Sequence, residues 1–340
     1  MDAFSPRERL LRRLDKKDVE RSPVICPGGM MNSAIVEIMN TTGHTLPAAH
    51  TDAALMADLA EDVMNYTGFE NLGVPFCMTV EAEALGSEIN FGTLECEPKI
   101  QKERYASVAD VPVFPAGTME KASRAVAIAD AISILSKRNP DVPAIGSLTG
   151  PVSTSASLVD PMPFLKQLRR DRENSHRVLD NVAERLIDYA AMMIETGASA
   201  ISIADPTATG EILGPKMFEE YAVRYLNRVV DGIHALGVPV IVHICGKMDM
   251  VIPQVAQLHA DAISVDAFVS LKKIKESIPE ATTMGNLSTI TLQFGTPDKV
   301  QRMAERLIED QIDILAPACG LSTSTPLDNI RAFTGTAAGA

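Results

Sequence analysis

Eight times along its 340 residues the chain runs through a short apolar stretch into a helix breaker, and this recurrence limits the available folds more than any other feature. The stretches are Val24–Gly29, Leu72–Phe76, Ala144–Pro151, Ala200–Pro206, Val238–Gly246, Ala262–Phe268, Thr282–Leu287 and Ile312–Gly320. Short apolar runs closed by Pro, Gly or Asp are what strands buried on both faces look like. Helical patterns separate most of them: Asn181–Glu195, Pro215–Leu236, Met250–His259, Leu271–Ile278 and Pro297–Glu309. Strand and helix in alternation imply parallel strands joined by crossovers, and eight such units close an α/β barrel of the (β/α)8 TIM type. No linker divides the chain, so residues 1–340 read as one barrel domain.

Two segments stand outside the repeat. Ser5-Pro6-Arg7-Glu8 has an N-cap serine, a proline at the first helical position and a capping-box glutamate, which opens an N-terminal helix through about Asp15. Between the second and third strands, residues of about 81–139 are too many for one crossover helix. Asn90–Leu94 and Glu97–Ile100 are strand-like, so this insertion reads as a lid made of a hairpin plus a helix. The small residues of Thr334–Ala340 read as a fraying tail.

Composition narrows the function. No stretch approaches the roughly 20 apolar residues of a membrane helix, and Met1 to Arg13 is polar rather than signal-like, so the expectation is a cytoplasmic protein with no membrane partner. Forty-four acidic against 31 basic residues give a net charge of −13, which repels nucleic acids. Five cysteines, an odd number, argue against a disulfide framework and leave thiol chemistry or metal binding. Cys26, Cys77 and Cys96 sit singly and read as small buried hydrophobes. Phosphate-binding glycine loops and Gly-x-Ser-x-Gly elbows are absent.

The metal signal lies in Val238–Gly246. Along a β-branched strand side chains alternate, so His243 and Cys245 point to the same side as a ready pair of ligands. Cys319-Gly320 ends the eighth run, and the carboxyl ends of barrel strands share one mouth, where active sites gather. Imidazole and thiolate suit zinc, and three protein ligands leave an open catalytic position. Each residue alone is more simply a core residue; the combination points to metal. Two thiolates weaken zinc as a Lewis acid for water but suit it to ionising a thiol, whose natural reaction is alkyl transfer to sulfur.

Those motifs resemble the uroporphyrinogen decarboxylase superfamily, and within it the methylcobamide:coenzyme M methyltransferases. The resemblance runs nearly end to end, through Ser5–Leu10, Val80–Glu83, Gly146–Pro151, Asp205–Ala208, His243–Gly246, Ile263–Asp266, Gly285–Leu287 and Pro317–Gly320. It implies zinc on His243, Cys245 and Cys319, and transfer of a methyl group from a corrinoid, carried by a separate protein docked over the mouth, to a thiol. The decarboxylase branch fits worse, because Gly28–Ser33 offers no arginine for substrate carboxylates. Two other readings stand beside it: passage of a methyl group from an ether or similar donor to Co(I), and a catalytically silent binding barrel.

Further candidates are substrate contacts. Asp205 and Asp266 end strands and face the mouth, although an Asp there also reads as a loop or helix cap. Asn286, at the end of the seventh strand, is a polar contact or a turn residue. Glu81 and Glu83 share a face if extended, and it is the resemblance that raises them above solvated lid charges. Lys247 follows the His-x-Cys-Gly where similar coenzyme M enzymes carry Asn or Asp, which makes it the residue that puts the small-molecule partner in question.

Overall fold

A computed structural model describes residues 3–339; Met1, Asp2 and Ala340, at the ends of the expected 1–340 unit, lie outside the described residues. In chain order the strands are β1 (Leu72–Val74), β2 (Glu88–Asn90), β3 (Lys99–Lys102), β4 (Ala144–Thr149), β5 (Ala200–Ala204), β6 (Val240–Ile244), β7 (Ala262–Val265), β8 (Thr283–Leu287) and β9 (Ile314–Pro317). All but β2 and β3 form one curled parallel sheet in the order β1-β4-β5-β6-β7-β8-β9. Helices fill the crossovers, an α/β architecture of TIM-barrel type. Strand residues such as Ile201, Ile203, Val240, Val242 and Ile314 are fully buried, as strands covered on both faces require.

The first expected strand, Val24–Gly29, is reduced to a single bridge between Val24 and Leu315 of β9. Ile25 N donates to Leu315 O at 2.9 Å, and Leu315 N donates to Pro23 O at 2.8 Å. On the β1 side the Asn71 side-chain amide satisfies both backbone groups of Cys26, at 2.8 and 2.9 Å, in place of a strand ladder. Pro27 has no N–H to offer a ladder. Its backbone also runs so close to β1 that a Cβ on Gly73 would lie 2.4 Å from the Pro27 carbonyl oxygen. The segment therefore joins β9 to β1 without being a strand.

The N-terminal helix, Pro6–Leu14, carries the expected reciprocal cap between Ser5 and Glu8. Its Arg9 is fully buried, with Nη1 2.5 Å from Glu70 Oε1 and Nη2 2.6 Å from Glu20 Oε1. A buried guanidinium is tolerated only with such multiple acceptors. Glu70 Oε2 also accepts from Val24 N at 3.0 Å, so the same carboxylate fastens helix and bridge.

The insertion between β1 and β4 holds a helix, Val80–Ala84, the antiparallel hairpin β2/β3 and a long helix, Ser123–Arg138. The hairpin strands overlap the expected Asn90–Leu94 and Glu97–Ile100 only at Asn90 and at Lys99 and Ile100, and are shifted outward because side chains claim the intervening backbone. Asn90 Oδ1 accepts from Gly92 N, and Thr93 Oγ1 accepts from Glu95 N and Cys96 N, which turns residues 91–96 into loop.

Other expectations shift. The pattern Pro215–Leu236 is helical from Pro215 to His234, with a π-turn at Phe218–Val223, and a kink at Gly214, with φ 67°, separates it from the turn that begins at Gly210. Met250–His259 shrinks to the turn Asp249–Val251 and the helix Ile252–Val255, beyond which Gln257 N and Leu258 N bond back only three residues. Asn181–Glu195 starts earlier, at Arg172, where Asp171 caps it, while Pro297–Glu309 keeps its bounds. The end of the chain is helical over Leu327–Ala338, with Ile330, Phe333 and Ala337 buried and Thr334 Oγ1 donating to Thr67 O at 2.6 Å. Among the described residues no helix is long and apolar enough to cross a membrane.

Candidate metal centre

The Val-Ile-Val-His-Ile sequence of β6 makes a strand with every residue buried. Register places His243 beside Ser264 of β7, and Ser264 Oγ lies 2.9 Å from His243 Nδ1. That contact fixes the ring and aims Nε2 at Cys245, the next residue on the same side, whose Sγ is 3.1 Å away. Cys319, just beyond β9, brings its Sγ to 3.4 Å from Cys245 Sγ. The three donor atoms lie within 4.8 Å of one another, the one such group among the described residues.

Local sequence explains how Cys319 gets there. Gly320 has no room for a side chain: a Cβ would lie 2.2 Å from the Met30 carbonyl oxygen. The loop after the Val24 bridge can therefore press against β9, and the Met30 thioether comes to 3.9 Å from Cys245 Sγ. A cavity of about 880 Å³ opens on the Cys319 side of the cluster, lined by Met30, Met78, Cys319 and the hairpin residues Glu95 to Glu97 among others.

The electrostatics favour a cation. A hydrogen bond from the Cys245 thiol, offset by burial and aided by His243 and the Gly320 N–H, pulls Cys319 well below the ordinary thiol value. The same hydrogen bond and burial push Cys245 up. Two thiols this close share a proton, and a divalent ion among nitrogen and sulfur donors would replace it.

The other residues singled out by sequence divide into two groups. Asp266 stands by the centre, half-buried, with Oδ2 3.4 Å from Gly246 N, and its charge contributes to raising Cys245. Lys247 is exposed on the rim. Asn286 ties a loop: its Nδ2 donates to Asp266 O at 2.9 Å and Val269 O at 2.8 Å.

Across the mouth the carboxylates are committed to the fold. Glu81 and Glu83 lie on the helix Val80–Ala84 rather than on an extended segment, so they diverge. Glu81 is 2% exposed and accepts from Thr149 N at 2.7 Å and Thr149 Oγ1 at 3.1 Å, while burial raises its carboxyl. Glu83 pairs at 2.7 Å with Arg124, whose guanidinium also reaches Thr79 and Cys77. Asp205 is fully buried and accepts from Val152 N, Ser153 N and Ser153 Oγ, which caps the helix Pro151–Ala156. Burial, opposed by those bonds, lifts it to about 6.

Cys77 is hydrogen-bonded rather than simply apolar, and Cys96 is exposed rather than buried. Sequence reasoning missed Ser264, Met30, Asn32 and Glu97. Only Ser264 left a trace, as a polar residue in the apolar run Ala262–Phe268.

Residues 5–339 match the family model described as uroporphyrinogen decarboxylase. The chain belongs to the uroporphyrinogen decarboxylase family. Within that family it is 34% identical over 337 residues to the methylcobamide:CoM methyltransferase MtaA of Methanosarcina barkeri, covering 98% of this chain and 97% of that one. The methylcobamide:CoM methyltransferase MtbA of Methanosarcina acetivorans is 33% identical, with 97% of each chain covered. Among solved structures, a methyltransferase from Methanosarcina mazei superposes with a TM-score of 0.92 at 32% identity, over 99% of both chains.

Proposed function

We propose that the protein is a zinc-dependent methyltransferase that moves a methyl group from a methylcobamide, carried by a corrinoid protein, to a thiol such as coenzyme M. The observation that carries this reading is the cluster of His243, Cys245 and Cys319, whose Cys319 lines the mouth cavity, in a chain similar over nearly its full length to methylcobamide:CoM methyltransferases. His243 Nε2 and the two sulfurs would hold the ion, and Ser264 would keep the imidazole in the binding orientation. Zinc bound there supplies a site where a thiol ionises at neutral pH and stays nucleophilic. In methyl transfer a carbon–sulfur bond would form as the carbon–cobalt bond of the methylcobamide substrate breaks, with the electron pair of that bond staying on cobalt as Co(I).

Met30 and Met78 give the cavity soft, apolar walls. Asp266 and Lys247 are the substrate-side residues of this reading. Glu81, Glu83, Asp205 and Asn286 shape the mouth without touching substrate. Residues 1–340 act as one unit, an eight-position barrel in which Val24 takes the first place, with residues of about 81–139 as the lid. Free thiolates need a reducing compartment, which suits the cytoplasm.

The test is to mix zinc-loaded protein with methylcobalamin and candidate thiols and follow the cobalt spectrum. Conversion to Co(I) with coenzyme M is the expected result. No methyl loss with any thiol, together with methylation of Co(I) from an ether donor, would reverse the direction proposed.

A further inference from the structure

The inserted hairpin brings into the cavity that Cys319 lines one carboxylate that has no task in the reading above. Glu97 lies between β2 and β3; the residue is exposed on the lid and lines the mouth cavity that Cys319 also lines, with its carboxylate part-buried against Asn32. There Oε1 accepts a hydrogen bond of 3.2 Å from Nδ2 of the buried Asn32. The Asn32 carbonyl in turn accepts from Leu321 N at 2.9 Å, two residues beyond Cys319. A second tie lies alongside: Thr323 Oγ1 donates to Glu95 O at 2.8 Å. The hairpin tip is thus fastened to the loop that carries Cys319, so the place of Glu97 is fixed while its Oε2 has no protein partner among the described residues.

Charge conservation gives this placement a purpose. One imidazole and two thiolates already neutralise a zinc ion, so an incoming thiolate adds a negative charge to a partly closed cavity. A neighbouring carboxylate that becomes neutral at the same moment keeps the total unchanged. Burial raises the Glu97 carboxyl, opposed by the Asn32 hydrogen bond and reinforced by the charge on Cys319. The charged groups around it are Cys319 at the end of β9 and, on its own hairpin, Glu95 and Lys99; Asn32 is neutral.

We propose that Glu97 takes the proton of the thiol substrate as that substrate binds. This rests on the thiol-acceptor reading. The S–H bond breaks, its electron pair stays on sulfur, and the proton goes to Glu97 Oε2, where it stays until methyl transfer turns the bound sulfur into a neutral thioether; only then does it pass to water on the exposed side of the hairpin. Nothing is oxidised or reduced.

Glu97→Gln isolates the proposal, because the amide keeps an oxygen for Asn32 and loses the proton acceptor. Calorimetry of coenzyme M binding to zinc-loaded protein near pH 7, in buffers of different ionisation enthalpy, counts the protons released. Wild type should release well under one, and E97Q about one. Thiol association measured by stopped flow should slow about 100-fold in E97Q, in line with the loss of a positioned base. An unchanged proton count and rate overturns the proposal, and so does loss of zinc or of folding in E97Q, since Glu97 would then be structural. Wild type that binds none of the thiols tested overturns the thiol reading itself, before any variant is compared.

Discussion

The two sides of the barrel mouth hold similar numbers of ionisable groups and treat them in opposite ways. Around β4 and β5 every carboxylate is saturated: Asp205 by two N–H groups and a hydroxyl, Glu81 by both polar groups of Thr149, Glu83 by Arg124. Around β6 and β9, His243, Cys245 and Cys319 have mainly one another, at distances where sulfur repels sulfur unless a proton or a cation intervenes. Saturated polar groups build the mouth, whereas groups left facing each other are set for a ligand.

The comparison breaks most sharply at the ligands. Cys319→Ala should reduce bound zinc from about one per chain to near zero and abolish methyl transfer, as read by metal analysis and the cobalt spectrum. Thermal stability should change little, since Cys319 is half-buried and lines a cavity. One step out, Ser264→Ala removes the partner that orients His243, and zinc affinity measured by chelator competition should fall about 10- to 100-fold.

On the saturated side the same kind of change should move stability and leave zinc alone. Asp205 sits at about 6, above the ordinary carboxylate value, so the fold favours its protonated form. Its contribution is full below about pH 4 and is lost as pH rises to about 6. Asp205→Asn should flatten that part of the curve, a difference on the order of 1–3 kcal/mol by denaturant unfolding, with metal content unchanged. The smallest effect belongs to the rim: Lys247→Ala should leave turnover with free methylcobalamin within about threefold and alter chiefly the salt dependence with a corrinoid protein. A large loss of zinc in the Asp205 variant, or none in the Cys319 variant, would erase the distinction between the sides.

Features set by near neighbours were legible in the sequence. The Ser5 cap, the helix Pro297–Glu309 and the shared face of His243 and Cys245 follow from spacings of two to four residues. The first strand misled, because Val24–Gly29 has the apolar pattern of a strand, yet beyond one bridge to β9 its partner on the β1 side is an asparagine side chain 45 residues away. Asp205 and Asp266 looked alike as strand-ending acids, and only packing separates the cap of a helix from a neighbour of the His243, Cys245 and Cys319 cluster.

By itself, then, the sequence determined the α/β alternation and the identity of three zinc-suited donors, since side-chain period and ligand chemistry are local properties. Tertiary structure decided which acids are consumed by backbone donors and which stay available. It also brought Glu97 to Asn32 across 65 residues and into the cavity of Cys319. Satisfaction of a buried polar group depends on partners that chain folding supplies, and no spacing in a linear pattern encodes them.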